Sequence, residues 1–550
     1  MNQARITRKL QQHTNGWLVT SIAAAAILLL PLLAIAMSVF EAPNENWSHI
    51  TQYMVRDYVL QSVWLVLFTG IATGGIGALL AWLIAAYDFP LKPFFRWALM
   101  LPLAVPPYIA AFTYSYMLSY TGIFQTTLRS WGITPNQAWF DIMSMPGAVF
   151  IFTMFLFPYV YMITRAFLER QSGSYIENAR LLGHSPFSIF FRVILPLSRP
   201  ALAAGVTLVG FEVLSDYGVV NYYGIQTFTT AIFKTWFGMY DIDSATRLAA
   251  WFMILIVFVI LLERFLRRRR RFSATTSRIS PLVPKRLRGV PAALATLFCT
   301  AVLSLSFLIP VGQLVVWTGW TFRDVAVTSD FGLLTFNTVK VALIATAIIM
   351  VLAVIVANAS RTLNNAFGIA LAKMMTVGYS IPGAIIAIGV MSLFILLDEK
   401  LAPLYRLLGL GESPLVLSMS IVMLIVAYVI RFMATGFNAV ETGYEKIGMK
   451  FTESSRLLGL GMTRTFFKVE LPLIRGSLLG GVILTFVEVV KELPLAMLLR
   501  PFNFDTLSTK AYQYASDERI FSAALPSLVI ICVSLLSILL FHHLGKRVRS

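Results

Sequence analysis

Apolar residues fall in long runs separated by short polar breaks. The runs cover residues 17–40, 58–87, 95–119, 146–168, 200–222 and 246–266, then 290–317, 335–358, 370–397, 414–434, 476–499 and 521–541. An α-helix needs roughly 20 predominantly apolar residues to cross a bilayer core about 30 Å thick. All twelve runs reach that length. The pattern therefore predicts an all-α polytopic membrane protein of about twelve transmembrane helices. The first run follows Arg5, Arg8 and Lys9. It is too long for the apolar stretch of a cleavable leader and lacks a small-residue cleavage site, so it is expected to stay as the first helix.

The polar breaks carry a second pattern. "YIENARLLGHSPFSIFFRVILPL", Tyr175 to Leu197, returns as "FTESSRLLGLGMTRTFFKVELPL", Phe451 to Leu473. The offset is 276 residues, and eighteen of forty positions are identical between 177–216 and 453–492. At this offset Gly205 meets Gly481, Glu212 meets Glu488, Asp216 meets Glu492, and Pro106 in "AVPPYIAA" meets Pro382 in "YSIPGAII". A tandem duplication gives two six-helix repeats, residues 1–266 and 290–550, joined by a linker over 267–289. An even number of spans per repeat gives both repeats the same orientation, related by an axis along the membrane normal.

Charge fixes the sidedness. Of 550 residues only 13% are charged, and 58% are hydrophobic. The net charge of +18 is not spread as a nucleic-acid surface would be. Residues 267–288 hold nine basic residues, including Arg267 and Arg268, and no acidic ones. The N-terminal segment and the tail "GKRVRS" are basic too, whereas 41–57 carries Glu41, Glu45 and Asp57 against Arg56. Basic residues next to spans stay in the cytoplasm. Both termini and the linker are therefore expected inside, with the bilayer as the surroundings and no nucleic-acid partner.

The same count puts both repeated loops, 169–199 and 435–475, in the cytoplasm. "YIENARLL" and "FTESSRLL" suit short helices that end at Gly183 and Gly459. A second helix should follow and stop before Leu195-Pro196 and Leu471-Pro472. Such a helix–turn–helix can rest on lipid or dock on another protein. Its recurrence at one spacing favours a partner with two equivalent sites.

The spacing resembles the EAA loop of ABC importer permeases: Glu177, Ala179, Gly183, Val193, Leu195 and Pro196, then Glu453, Ser455, Gly459, Val469, Leu471 and Pro472. The second copy departs from the family pattern with serine at both alanine positions, Ser454 and Ser455, and the first has Asn178 at one. Small residues remain at Ala179 and Ser455, which preserves close packing. The resemblance implies that Glu177, Ala179, Gly183 and Pro196, with Glu453, Ser455, Gly459 and Pro472, form coupling helices seated on two copies of an ABC ATPase. It also implies a periplasmic substrate-binding protein and a bacterial inner-membrane location. "SDYGVVNYYGIQTFTTAIFKTWFGMYD" and "KELPLAMLLRPFNFDTLSTKAYQYASDERIFSAALP" look like the fused permeases of ferric-iron importers. Thiamine, phosphonate and polyamine permeases share the general plan and stand as alternative cargoes.

No nucleotide site is expected in this chain. The nearest approach to a phosphate loop, "GYEKIGMKF" from Gly443 to Phe451, has Met449 where the lysine is needed. ATP and magnesium would be used by the partner ATPase, and no cofactor is expected here. The histidines and the two cysteines, Cys299 and Cys532, show no zinc spacing, and no catalytic set is apparent. No metal site is assigned.

Carboxylates inside apolar runs are the clue to a pathway. Glu212 and Asp216, and again Glu488 and Glu492, stand four apart, which places each pair on one face of a continuous helix. Counted from Pro200 at ~1.5 Å per residue, Glu212 lies ~18 Å into its span. Charges at that depth avoid lipid. Two readings stay open. The four acids line a cation path, with oxygen ligands that suit hard ferric iron. Alternatively they are structural: Glu488 pairs with Lys491, and Glu212 accepts hydrogen bonds from neighbouring helices. The aromatic segment after the fifth span is expected outside, as an interface anchor or a docking surface for the binding protein. A secondary transporter driven by ion coupling is the competing class, but it has no use for two matched docking loops.

Overall fold

The computed structural model describes residues 16–40, 44–134, 136–170, 174–268, 283–326, 331–363, 365–409, 415–418 and 420–547. Among these, ten helices are long and apolar enough to cross a membrane, and two sharply bent helix pairs bring the number to twelve. The first half contributes Gly16–Ser38, Val55–Ala86, the bent pair Lys92–Ala104 and Pro107–Ser130, Met145–Arg170, Pro186–Ser215 and Ile242–Arg268. The second contributes Val290–Ala326, Phe331–Leu363, the bent pair Ala366–Ser380 and Gly383–Leu407, Ile421–Ile447, Met462–Lys491 and Ile520–Arg547. These are numbered as spans one to twelve.

The expected spans at 95–119 and 370–397 are not single continuous helices. Span three bends by 90° and span nine by 108°. The cause is proline. Val105 and Ile381 take extended backbone, as residues before proline do, and Pro106 and Pro382 then cap a new half-helix. Spans five and eleven are displaced from the expected 200–222 and 476–499. Each starts earlier and stops at Ser215 or Lys491. The expected stop before Leu-Pro does not occur. Phe190–Ile194 and Phe466–Glu470 form wide π-turns, in which Leu195 and Leu471 donate to the carbonyls of Phe190 and Phe466. The wider turn accommodates Pro196 and Pro472 inside a continuing helix.

Matching triads form the two bundles. Spans two, four and five pack together in the first half, and spans eight, ten and eleven in the second. Small residues allow the close approach. A Cβ on Gly205 would sit 2.8 Å from Val160 Cα, and one on Gly481 would sit 2.8 Å from the Ala439 side chain. Without a hydrophobic force between helices in lipid, such close backbone packing holds the bundle.

The first spans bridge the two halves. Span one packs against spans eight and nine, and Gly389 faces Ile35 so tightly that an added Cβ would lie 2.7 Å from it. Span seven packs on span twelve and reaches across to span three, where Thr296 donates to the Pro90 carbonyl and Tyr116 meets Trp317 edge-on at 5.4 Å. The linker 267–289 thus separates the halves in sequence, not in packing. Its stretch 269–282 lies outside the described residues. Beyond it, Lys285–Arg286 pairs in parallel with Tyr87–Asp88.

The aromatic segment after span five is not an external surface. Tyr223, Phe228 and Phe233 are buried, and its exposed large apolar residues, Phe237, Met239 and Tyr240, lie at its end. Short helices Gly218–Tyr222 and Phe228–Phe233 carry it back into the body. Thr227 and Thr230 cap each other's backbone, and Thr506 and Thr509 repeat this capping box in the second half.

Candidate functional site

Two features stand at functional positions: a polar cavity between the halves and a pair of loops at one end of the bundles. The cavity measures about 110 Å³ and is lined by residues of both halves. Three helix breaks line it, at Pro106, Asp216 and Glu492, and Gly383, next to the break at Pro382, packs against Glu492. Membrane transporters place such breaks at a cavity because freed backbone groups need polar partners.

Glu212, Asp216, Glu488 and Glu492 all line this cavity, so the structure brings the four predicted acids together. It does not keep each pair on one helix face. Spans five and eleven end at Ser215 and Lys491, and the next residue is extended in both. The apolar run continues past the break, which hid it from periodicity. Asp216 Oδ1 instead accepts from the Val219 amide at 2.8 Å and the Val220 amide at 3.3 Å. Glu492 Oε1 accepts from the Leu495 amide at 3.2 Å. Both acids cap the short helix that follows.

The other two acids have side-chain partners. Lys491 Nζ lies 2.9 Å from Glu488 Oε1, the helical ion pair expected from the sequence. Tyr379 of the second half donates to Glu212 Oε1 of the first at 3.0 Å. Among the described residues no three His, Cys, Asp or Glu side chains gather closely enough to hold a metal ion. Lys491 and Arg431 line the cavity beside the four acids, so both signs of charge face it.

Sequence reasoning missed Arg431. It lines the same cavity, is buried, and donates to the carbonyls of Tyr379 and Ile381 at the kink of span nine. Its Nε has no partner among the described residues. Its position inside the apolar run "LIVAYVIRFMA" was the available signal, because an arginine at membrane depth faces protein or water. Phe155 holds the equivalent place in the first half.

The two loops are close copies in three dimensions. Helices Ser174–Leu181 and Lys450–Leu457 end in the same turn. Gly183 donates to the Arg180 carbonyl and His184 to that of Ala179. Gly459 donates to Arg456, and Leu460 to Ser455. This is the Schellman closure, with glycine at φ +77° and +84°. Ala179 and Ser455 are buried beneath the turn, and Ser455 Oγ lies 2.7 Å from Thr465 Oγ1. Glu177 is half-buried and Glu453 exposed. Matched leucines project outward: Leu181 and Leu182 are 84% and 77% exposed, Leu457 and Leu458 89% and 83%. Pro196 and Pro472 sit just past the π-turns that join each loop to its span.

Comparison with known proteins agrees with this arrangement. The family described as binding-protein-dependent transport system inner membrane component matches residues 74–271 and again 359–550. The Fe(3+)-transport system permease protein FbpB 2 of Haemophilus influenzae is 23% identical over 454 residues, 82% of each chain. The sulfate transport system permease protein CysT of Escherichia coli is 30% identical over 195 residues, 35% of this chain and 68% of that one. A probable ABC transporter permease protein, y4fN of Sinorhizobium fredii, is 22% identical over 522 residues, 89% of this chain and 88% of that one. Two copies of the domain in one polypeptide, each with its own bundle and its own glycine-closed loop, mean that this chain belongs to the binding-protein-dependent transport system inner membrane component family as a duplicated, fused permease.

Proposed function

We propose that the chain is the whole membrane-spanning part of an ABC importer for ferric iron. Separate ATPases, in two copies, drive it from the cytoplasmic side with ATP and magnesium, and a periplasmic binding protein delivers the cargo. Both termini lie in the cytoplasm. The observation that carries this reading is the pair of superposable loops with outward-facing leucines, Leu181–Leu182 and Leu457–Leu458. Exposed paired leucines beside an acidic helix start suit a groove on a protein partner. ATPase closure pulls the two loops, the bundles rock, and the cavity between them opens to alternate sides.

Iron as cargo is supported by the similarity to an Fe(3+)-transport permease over 82% of the chain and by the four carboxylates in the cavity. A path that conducts must bind weakly enough to release. An acid-lined cavity without a closed ligand set fits that need. The sulfate permease similarity covers one repeat and makes sulfate the cargo to exclude.

The test uses the chain co-expressed with its ATPase and binding protein. Leu182→Glu with Leu458→Glu should abolish ATPase co-purification while leaving membrane insertion intact. Recovery of the ATPase at the original yield would refute the docking role. In proteoliposomes, iron-loaded binding protein should stimulate ATP hydrolysis, and Glu212→Gln with Glu488→Gln should lower uptake without lowering assembly. Stimulation by sulfate, thiamine, phosphonate or a polyamine in place of iron would retire the iron assignment.

A further inference from the structure

The two loops match in outline but not in how they are fastened to the membrane helices. Beneath the second loop lies a buried polar network centred on Glu470, which sits in the π-turn of span eleven. Thr452, on the loop helix, donates to Glu470 Oε1 at 2.6 Å. Arg361, at the end of span eight, lies 3.3 Å from the same oxygen. Tyr444, near the end of span ten, donates to Oε2 at 3.5 Å. The Arg361 guanidinium also covers the Tyr444 ring at 4.6 Å and donates to the carbonyl of Gly448, where span ten turns into the loop. One carboxylate thus ties the loop helix to three spans.

The 276-residue offset shows what the first half uses instead. Glu470 corresponds to Ile194, Thr452 to Ile176, Tyr444 to Leu168 and Arg361 to Ala85. All four of these are buried and apolar. Four positions from four elements have switched chemistry together. The contrast matters mechanically. Apolar contacts are non-directional and resist sliding little. The first loop keeps a directional tether in Arg180, which donates to the Ala86 carbonyl at the end of span two at 3.1 Å, but it has no buried carboxylate at the mirrored position. Charge-assisted hydrogen bonds fix distance and direction, and a buried carboxylate stripped of its donors is strongly disfavoured. The second loop cannot shift without carrying spans eight, ten and eleven along or leaving Glu470 unpaired.

We propose that Glu470, with Arg361, is a positioning residue that makes the second coupling loop the stiff one, so that the two ATPase docks of this chain are mechanically unequal. This rests on the docking role proposed above. Motion at the second dock passes directly to three spans, while the first dock, tied by Arg180 to the end of span two, yields more before it transmits.

The experiment uses the complete importer in proteoliposomes, with cargo moved and ATP hydrolysed measured together. Glu470→Gln keeps the volume and removes the charge. It should lower cargo moved per ATP about fivefold, the lower end of ordinary coupling energies, with ATPase co-purification unchanged. Ile194→Val, at the mirrored position, should lower the ratio less. A second variant, Arg361→Ala/Tyr444→Leu/Thr452→Ile/Glu470→Ile, installs the apolar set of the first half. It should also retain the ATPase and lose cargo per ATP. A purely space-filling role predicts an unchanged ratio in this variant, and that result overturns the proposal. Should the fourfold variant not assemble, equal losses in Glu470→Gln and Ile194→Val overturn it. Failure of the unaltered chain to retain the ATPase would instead strike the docking role itself.

Discussion

Gly183 and Gly459 hold a backbone that side chains adopt only at a cost. Their φ values of +77° and +84° close the loop helix, yet a Cβ at either site would meet nothing within 4 Å. The penalty for substitution is therefore conformational and not steric, about 1–2 kcal/mol for an L-residue in this region. Gly183→Ala and Gly183→Arg should loosen the turn to a similar degree. Arginine should in addition obstruct the partner, because the site is open. ATPase co-purification should thus fall modestly for alanine and steeply for arginine. Equal losses would show that the open space does not face the partner. A second residue-scale tether lies outside the spans. Asp241 receives hydrogen bonds from Asn44 and Asn46 at 2.9 Å and from the Ser244 amide at 3.0 Å. Burial alone would raise its pKa. The donors from Ser244, Asn46 and Asn44 outweigh that and hold it below the usual 3.8. A depressed carboxyl stabilises the fold above its unfolded pKa and loses that contribution only as pH falls through the lower folded value. The anchoring of helix Glu45–Tyr53 should survive mildly acidic conditions and weaken only below 3.8. Asp241→Ala should free the segment at neutral pH, seen as faster amide exchange over residues 44–53.

At the scale of the element, the broken spans show which features of a sequence can be read and which cannot. The duplication was legible because a fixed offset aligns Glu177 with Glu453 and Gly183 with Gly459 regardless of fold. The cavity acids were legible because charges inside apolar runs are costly in lipid. The bends were not, although Pro106 and Pro382 were already paired by the repeat. Hydropathy is blind to direction, and a proline in a span is compatible with a mild kink or a full break. What decides is whether other groups satisfy the freed carbonyls. In span nine that group is Arg431, which donates to Tyr379 and Ile381. Its charge also attracts Glu212 and Glu492. Arg431→Met should therefore leave two carbonyls short of a partner, at about 1–3 kcal/mol for each buried group left unpaired, and remove the cation that faces Glu212 and Glu492. The measurement is thermal unfolding of the detergent-solubilised chain. Phe155→Met at the mirrored kink should cost less, since the volume-conserving change strands no polar group. Comparable losses at the two sites would mean that Arg431 does not prop the bend.

At the scale of the whole molecule, the bridging by the first spans explains what fusion of the halves achieves and what it does not. The cavity depends on contacts across the halves, among them Tyr379 with Glu212 and Asn221 with Tyr512 at 2.8 Å. Span one adds Trp17, whose indole donates to Thr463 at 3.3 Å and meets Phe466 edge-on at 5.3 Å, beside the second repeated loop. The second half does not bury its own surface alone, because span one of the first half covers spans eight and nine. Among its described residues the linker contributes the short pairing of Lys285–Arg286 with Tyr87–Asp88. Covalent connection thus raises the effective concentration of one half near the other and guarantees one of each. It is not what holds them once they have met. Severing the chain within 267–289 and co-expressing the two pieces should still give a complex that co-purifies through a tag on either piece. The same experiment with residues 1–43 removed should not, because spans eight and nine then lose the helix that covers them. If the shortened first piece still captured the second in full yield, span one would be a lipid-facing appendage, and the pairing of the halves would rest on the cavity contacts alone.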